Sequence, residues 1–271
     1  MKLLREMQEA DIDAVVALIT AHEEDDGEEA ENDYRAAGGV EEQFVLEESG
    51  KIIGVTGFLT PPGCDHSHWL SWTYVRKDYV NQGHGRKMLN DLIEHLKQMD
   101  GRKLFVKVSD YVSEDDGAIY AAALHLYQSL GFSIEITLKD FYDAGEAQII
   151  LGLHLKPADE QDARFATEDE QVPVDFNSVY EIAETDGAYG FSWNTEGEAL
   201  FSVDDVQVGL DRAKEEGARV VFLTFPSNFD GISEVLSTAG FVQEGALQDY
   251  FEDDVHENHY SYSLKPLALT N

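Results

Sequence analysis

The chain has 271 residues, 43% of them apolar and 11% aromatic, with only six prolines; that is material for two compact domains and unlike a disordered chain. Nineteen basic residues stand against 54 acidic ones, a net charge of −35 at pH 7, which makes nucleic acid and anionic membrane poor partners. The one cysteine, Cys64, excludes an intrachain disulfide; Met1–Asp11 shows no export signal and no apolar run reaches the roughly 18 residues of a membrane helix, so a cytoplasmic protein is expected.

From the start, Leu3–Met7 reads as a strand and the stretch from about Ala10 to Ala21 as a helix, followed by an acidic connection. Gln43–Glu48 and Lys51–Leu59 read as strands joined by a Ser49-Gly50 turn, with Trp69–Val75 as the third strand of an antiparallel meander. Met88, Leu89, Leu92, Ile93 and Leu96 keep helical spacing and define one buried face that packs on the sheet.

The chain also repeats itself. Gly131–Pro157 aligns without a gap on Gly240–Pro266, 109 positions further on. Gly131/Gly240, Phe132/Phe241, Glu135/Glu244, Leu138/Leu247, Asp140/Asp249, Leu155/Leu264, Lys156/Lys265 and Pro157/Pro266 are identical, and aromatics swap at Phe141/Tyr250 and Tyr142/Phe251. Before each block a helical pattern, a β-rich segment (Lys103–Ser109; Arg219–Phe225) and a second helical pattern follow in the same order. Polar, acidic Ala158–Pro173 reads as a linker, which sets domains at 1–157 and 158–271.

Between the third strand and the helix lies Val75-Arg76-Lys77-Asp78-Tyr79-Val80-Asn81-Gln82-Gly83-His84-Gly85-Arg86-Lys87. Gly83 and Gly85 let the backbone turn with no side chain in the way, so amides at the helix start can face an anion. A polyphosphate suits such a start; a plain tight turn is the alternative. Arg86 and Lys87 in the first helical turn oppose the macrodipole at about 0.3–1 kcal/mol each, a cost that an anion would offset. Arg76, Lys77, Arg86 and Lys87 put four of the 19 basic residues in 12 positions, a concentrated patch in so acidic a chain.

Val80–Gly85 resembles the Q/RxxGxG/A signature of the GNAT superfamily of acyl-CoA N-acyltransferases, and Ala123–Phe132 (ALHLYQSLGF) resembles that family's helix ending in LYxxLGF. The resemblance covers the first half. It implies an α/β (α+β) GNAT fold, a mixed and mostly antiparallel sheet flanked by helices, with a smaller degenerate GNAT-like repeat behind it. It implies acetyl-CoA or another short acyl-CoA as donor, and no metal. The pyrophosphate would lie on the amides of Gln82, Gly83, His84, Gly85 and Arg86, within reach of Lys77 and Lys87, and backbone groups near Tyr74 and Val75 would serve the thioester oxyanion. Val80 departs from the family's Gln or Arg and removes one phosphate contact.

Tyr127 stands where the family's tyrosine often protonates the leaving thiolate. A phenol of reference pKa near 10 can return a proton to a thiolate whose acid resembles cysteine, near 8.5; packing one turn before Gly131 is the plain alternative. Many relatives place a glutamate on the fourth strand, but here the stretch is Leu70-Ser71-Trp72-Thr73, so His68, Asp110 and a water chain stay open as the base. Cys64-Asp65-His66-Ser67-His68 groups ligand types that zinc uses, yet a polar loop between strands accounts for it equally well. His256 and His259 are read as solvent-facing and carry no role.

The run His22–Asp33 (HEEDDGEEAEND) falls where relatives wall the acceptor site; an acidic wall would attract an amine, and a solvated mobile loop is the alternative. The expected acceptor is a small-molecule or protein amine, cationic ones included, with neither nucleic acid nor membrane as partner and a homodimer left open. In the second half Ser202 reads as the N-cap of a helix carrying Val203, Val206, Leu210 and Ala213, with Asp204 and Asp205 in its first turn. Asn194–Phe201 holds one glycine, Gly197, and Leu236 stands opposite Tyr127. No coenzyme site is expected there. A non-catalytic acyl-CoA-binding or protein-interaction module on the same fold is the alternative to an enzyme.

Overall fold

A computed structural model describes residues 2–113, 117, 120–156, 178–192, 202–229 and 231–264. The expected linker Ala158–Pro173, the stretch Asn194–Phe201 and the repeat positions Pro157, Lys265 and Pro266 lie outside the described residues. The chain is a mixed α/β protein of two compact units: Met1–Val106 with Ser129–Gly131 and Leu153–Glu160, and Lys107–Gln128 with Phe132–Gly152 and Gln161–Asn271. No helix among the described residues is long and apolar enough to cross a membrane.

In the first unit β1 (Lys2–Glu6) pairs antiparallel with β2 (Gln43–Glu48), and β2 pairs antiparallel with β3 (Lys51–Leu59), the first two strands of the expected meander. The third strand is not continuous. It is β4 (Ser67–Leu70) and β5 (Tyr74–Val75), both antiparallel to β3. The intervening step is held by polar groups: the Ser71 hydroxyl donates to Gln43 Oε1 (2.7 Å), and Thr73 Oγ1 donates to the Ser71 carbonyl (2.9 Å). β4 then runs parallel to β6 (Lys103–Ser109), whereas β5 pairs with β3 alone. The sheet therefore splits at the end of β4.

α1 (Ile12–Thr20) buries Ile12, Val15, Leu18 and Ile19. The acidic stretch behind it is a helix, α2 (Glu24–Arg35), and not a mobile loop. Glu24, Asp25 and Asp26 sit at its positive N-terminal end and Arg35 at its negative end, where the macrodipole favours each. Gly27, Ala30 and Tyr34, spaced three and four apart, form its buried face; a Cβ at Gly27 would lie 2.1 Å from Thr20 Oγ1, so only glycine allows the approach to α1. α3 (His84–Gln98) buries all five residues expected on its face, Met88, Leu89, Leu92, Ile93 and Leu96.

α4 (Ala121–Ser129) leads through Gly131, at φ 99°, into the antiparallel hairpin of β7 (Ser133–Asp143) and β8 (Glu146–His154). β6 and β8 are neighbours in the strand order β4-β6-β8-β7. A separate sheet belongs to the second unit, in the order β12-β13-β11-β10-β9. Its strands are β9 (Ser178–Glu181), β10 (Ala188–Ser192), β11 (Val220–Pro226), β12 (Val242–Glu252) and β13 (Val255–Ser263). Helices α5 (Val203–Glu215) and α6 (Ile232–Thr238) cover it, with Val206, Leu210, Leu236 and Phe241 in one core with Phe191, Val221 and Phe225.

The two halves share an element order and several single hydrogen bonds. Helix, strand, helix, strand, strand recur as α3-β6-α4-β7-β8 and α5-β11-α6-β12-β13. β10 is parallel to β11 as β4 is to β6. Asp140 and Asp249 both take φ 54°, and each aspartate accepts an amide across its own turn, from Gly145 (2.7 Å) and Asp254 (3.0 Å). The Phe132 amide donates to the Tyr127 carbonyl (3.2 Å) as Phe241 does to Leu236 (2.9 Å). Further upstream the match continues at a larger spacing: the Nε of buried Arg102 donates to the Asp65 carbonyl (3.0 Å), and the Nε of buried Arg219 to that of Asp186 (3.2 Å).

Arg219 does one thing more. Its guanidinium also donates to the carbonyls of Asp140 and Phe141 on β7. The Phe222 ring packs on Phe141 at 5.2 Å, and the Asp186 amide donates to the Tyr142 carbonyl (2.7 Å). β12 lies along β7, where the Gln248 amide donates to the Glu135 carboxylate (2.8 Å).

Candidate functional site

Between β5 and α3 the backbone turns through two left-handed residues, Asn81 at φ 59° and Gly83 at φ 82°. Such a turn points successive amides into one concavity. The first bond closing α3 runs from the Lys87 amide to the Gly83 carbonyl (3.0 Å), so the N–H groups ahead of Lys87 have no helical carbonyl to bind. The helix has no acidic residue in its first turn, and its N-cap, Gly83, brings no side chain. Val80, where the resemblance calls for Gln or Arg, is 42% exposed.

The basic patch is present, and three of its four cations already have company. Arg76 pairs with Asp78 (2.9 Å), Arg86 donates to the Ser129 hydroxyl (2.6 Å), and Lys87 pairs with Asp91 one turn on. These exposed contacts are worth little each, yet they offset part of the repulsion from the macrodipole. Lys77 is exposed and has no bonded partner among the described residues. Gln82 donates from its side chain to the Asp78 carbonyl (3.0 Å), which holds the loop closed.

At the split in the sheet, the β5 backbone has one free edge. Tyr74 is registered on Val55, and the Arg76 amide bonds to the Ile53 carbonyl (2.9 Å). Because strand groups alternate sides, the N–H and C=O of Val75 point away from β3. The Val75 carbonyl accepts a hydrogen bond from His22 Nε2 (2.8 Å), and the imidazole packs on the Tyr74 ring at 5.3 Å. The Tyr74 hydroxyl bonds the Asp26 carboxylate, and Trp72 Nε1 donates to Asp33 (2.9 Å). α2 is thus an acidic wall laid against β5. His22 and Asp26 were not singled out individually from sequence; the signal available was a histidine at the end of one helix and a run of carboxylates opening the next.

Tyr127 is 8% exposed, with its ring 5.6 Å from that of Phe132. Burial pushes its hydroxyl up to about 12, so it stays protonated at neutral pH and is a weaker acid than a free phenol. His68 is 5% exposed, its Nδ1 is bonded to the Thr60 hydroxyl (2.9 Å) and its Nε2 has no partner; burial lowers it to about 4. Asp110 is engaged with the Ala147 amide (2.6 Å), tying β6 to β8. Neither candidate base is poised over an open edge. His66 turns to Asp65 (3.6 Å) while His68 points at Thr60, and among the described residues no three metal-binding side chains converge. His256 and His259 are not solvent-facing as expected: His256 accepts the Asp249 amide (2.9 Å), and His259, 7% exposed, is bonded to Glu257 (2.8 Å).

At the equivalent helix start of the second half, Ser202 and Asp205 form a reciprocal capping box and Asp204 adds a further carboxylate. That end is already satisfied.

Residues 40–134 match the family model described as Acetyltransferase (GNAT) domain. This stretch holds the split in the sheet, the glycine turn and α3, and it is this stretch that resembles the GNAT acetyltransferase domain. No curated protein matches the chain. Solved structures similar to it include a GNAT-family protein from Desulfovibrio desulfuricans, at 24% identity and TM-score 0.49 over 58% of this chain and 100% of that one. The ribosomal-protein-S18-alanine N-acetyltransferase of Escherichia coli is 25% identical, at TM-score 0.47 over 59% of this chain and 97% of its own. The protein yncA of Salmonella typhimurium, solved with its cofactor acetyl-CoA, is 20% identical, at TM-score 0.47 over 60% of this chain and 99% of its own.

Proposed function

We propose that the chain is an acyl-CoA-dependent N-acyltransferase that moves an acetyl or other short acyl group from coenzyme A to an amine. The observation that carries this reading is the start of α3: a left-handed glycine turn, no acidic residue in the first turn and basic residues on both sides. A helix end that opens on a left-handed glycine and has no acid of its own suits a pyrophosphate, on Gln82, Gly83, His84, Gly85 and Arg86 with Lys77 and Lys87 near it. The free N–H of Val75 supports a role at the thioester oxygen, since donors must meet charge that develops in the transition state. Tyr127 would return a proton to the thiolate. Residues 1–157 form the catalytic domain in this reading, and 158–271 a GNAT-like repeat without a coenzyme site.

The acceptor is an amine, and α2 favours a cationic one. Asp26 and Asp33 lie seven residues apart on the face that meets Tyr74 and Trp72, about 10 Å along the helix, and each carboxylate keeps capacity beyond the bond it makes. A panel of amines incubated with acetyl-CoA, followed by thiol release, tests activity and acceptor together. Acetyl-CoA binding without thiol release from any amine would leave the non-catalytic acyl-CoA-binding module as the better description.

A further inference from the structure

Resting on that reading, we propose that His22 is the proton acceptor for the attacking amine, the role that no carboxylate on β4 or β5 fills. A carbonyl oxygen can only accept, so the 2.8 Å contact of Nε2 with the Val75 carbonyl places the ring proton on Nε2. Nδ1 then carries the lone pair, and no described residue bonds to it. The ring is half-buried at the free edge of β5, beside the backbone N–H offered to the thioester oxygen. Proton acceptor, oxyanion donor and acidic wall are thereby assembled within one unit. The groups facing the ring are Tyr74 on β5 and, through its hydroxyl, Asp26 on α2; Glu23 and Glu24 follow in the chain.

The step balances as follows. The acceptor arrives as an ammonium and gives one proton to Nδ1. The neutral amine forms a C–N bond to the thioester carbonyl carbon, and the carbonyl electron pair moves onto oxygen. As that pair returns, the C–S bond breaks. The thiolate takes up one proton, the new amide nitrogen gives up its second proton to water, and His22 releases its proton to solvent. One amide, one free thiol and one proton result.

His22→Gln keeps a side-chain donor for the Val75 carbonyl and removes the base, which separates positioning from proton transfer. The expected kcat falls about 100- to 10,000-fold, the affinity for acetyl-CoA in a thermal shift stays within about threefold, and the acid limb of the kcat/KM profile disappears. Ring 15N NMR of the wild type should show His22 protonated at Nε2, a readout that needs no turnover. An Nδ1-protonated ring, or a variant with the wild-type rate and pH profile, overturns the assignment to His22 while leaving the acyltransferase reading standing. A wild type that binds acetyl-CoA but acylates no amine overturns both.

Discussion

α3 and α5 stand at the same place in the two halves, each leading into a strand that is parallel to its neighbour, yet they begin with opposite chemistry. α3 opens on a left-handed glycine with no acid in its first turn; α5 opens on a serine cap with Asp204 and Asp205 behind it. One helix start therefore brings no capping side chain and no acid of its own, whereas the other satisfies its amides internally. A fold alone does not make a coenzyme site, and in the proposed reading the residues at one helix terminus decide it.

The sharpest way to break this comparison is to give α3 the acid that α5 has. Gly85→Glu should abolish the stabilisation of the protein by acetyl-CoA, since it fills the approach and sets a negative charge against pyrophosphate; a thermal shift equal to wild type would remove the loop from the site. Next in size, Tyr127→Phe makes the first half resemble the second, where Leu236 holds the position. Turnover should drop roughly 10- to 1000-fold with coenzyme affinity nearly constant, read from steady-state kinetics beside a binding titration. In the other direction, Val80→Arg restores the side-chain contact that this chain lacks, and acetyl-CoA should bind about 5- to 10-fold more tightly by calorimetry.

Smaller effects separate stability from function. Ser202→Ala should cost about 1 kcal/mol in denaturant unfolding through loss of the α5 cap, without changing coenzyme affinity; an affinity change would tie the second half to the site. Acid should also distinguish the halves. His68 on β4 is held neutral, at about 4, against an ordinary imidazole value near 6.5, while β10 has Tyr189 at the matching register position. The unfolded state then binds more protons than the folded one, so stability is lost as pH falls from about 6.5 towards 4. Amide exchange in β4 should quicken over that window, and in β10 it should not.

Much of this was legible beforehand, for physical reasons that differ by element. Gln43–Glu48, Lys51–Leu59 and Lys103–Ser109 begin and end where the sequence places them, because alternation and turn residues coincide at their ends. α2 was not legible: its buried face is Gly27, Ala30 and Tyr34, two small residues and one aromatic, which leave no hydrophobic stripe against so many carboxylates. The break at Ser71–Thr73 was hidden because it is decided by which strand β5 pairs with, a long-range fact. The repeat was seen only over its last hairpin; upstream, the connections differ in length, and equivalent residues such as Arg102 and Arg219 fall out of a gapless alignment. His22 escaped notice because its contact with Val75 joins residues 53 apart.

The docking of β12 along β7 has a practical side. β7 is the last strand of its sheet and is 11 residues long. A polypeptide stopped near residue 157 would leave that strand bare, without Phe222, Arg219 or Gln248 beside it, and uncovered edges recruit other chains into growing sheets. Expressed alone, the first half should be an aggregating species.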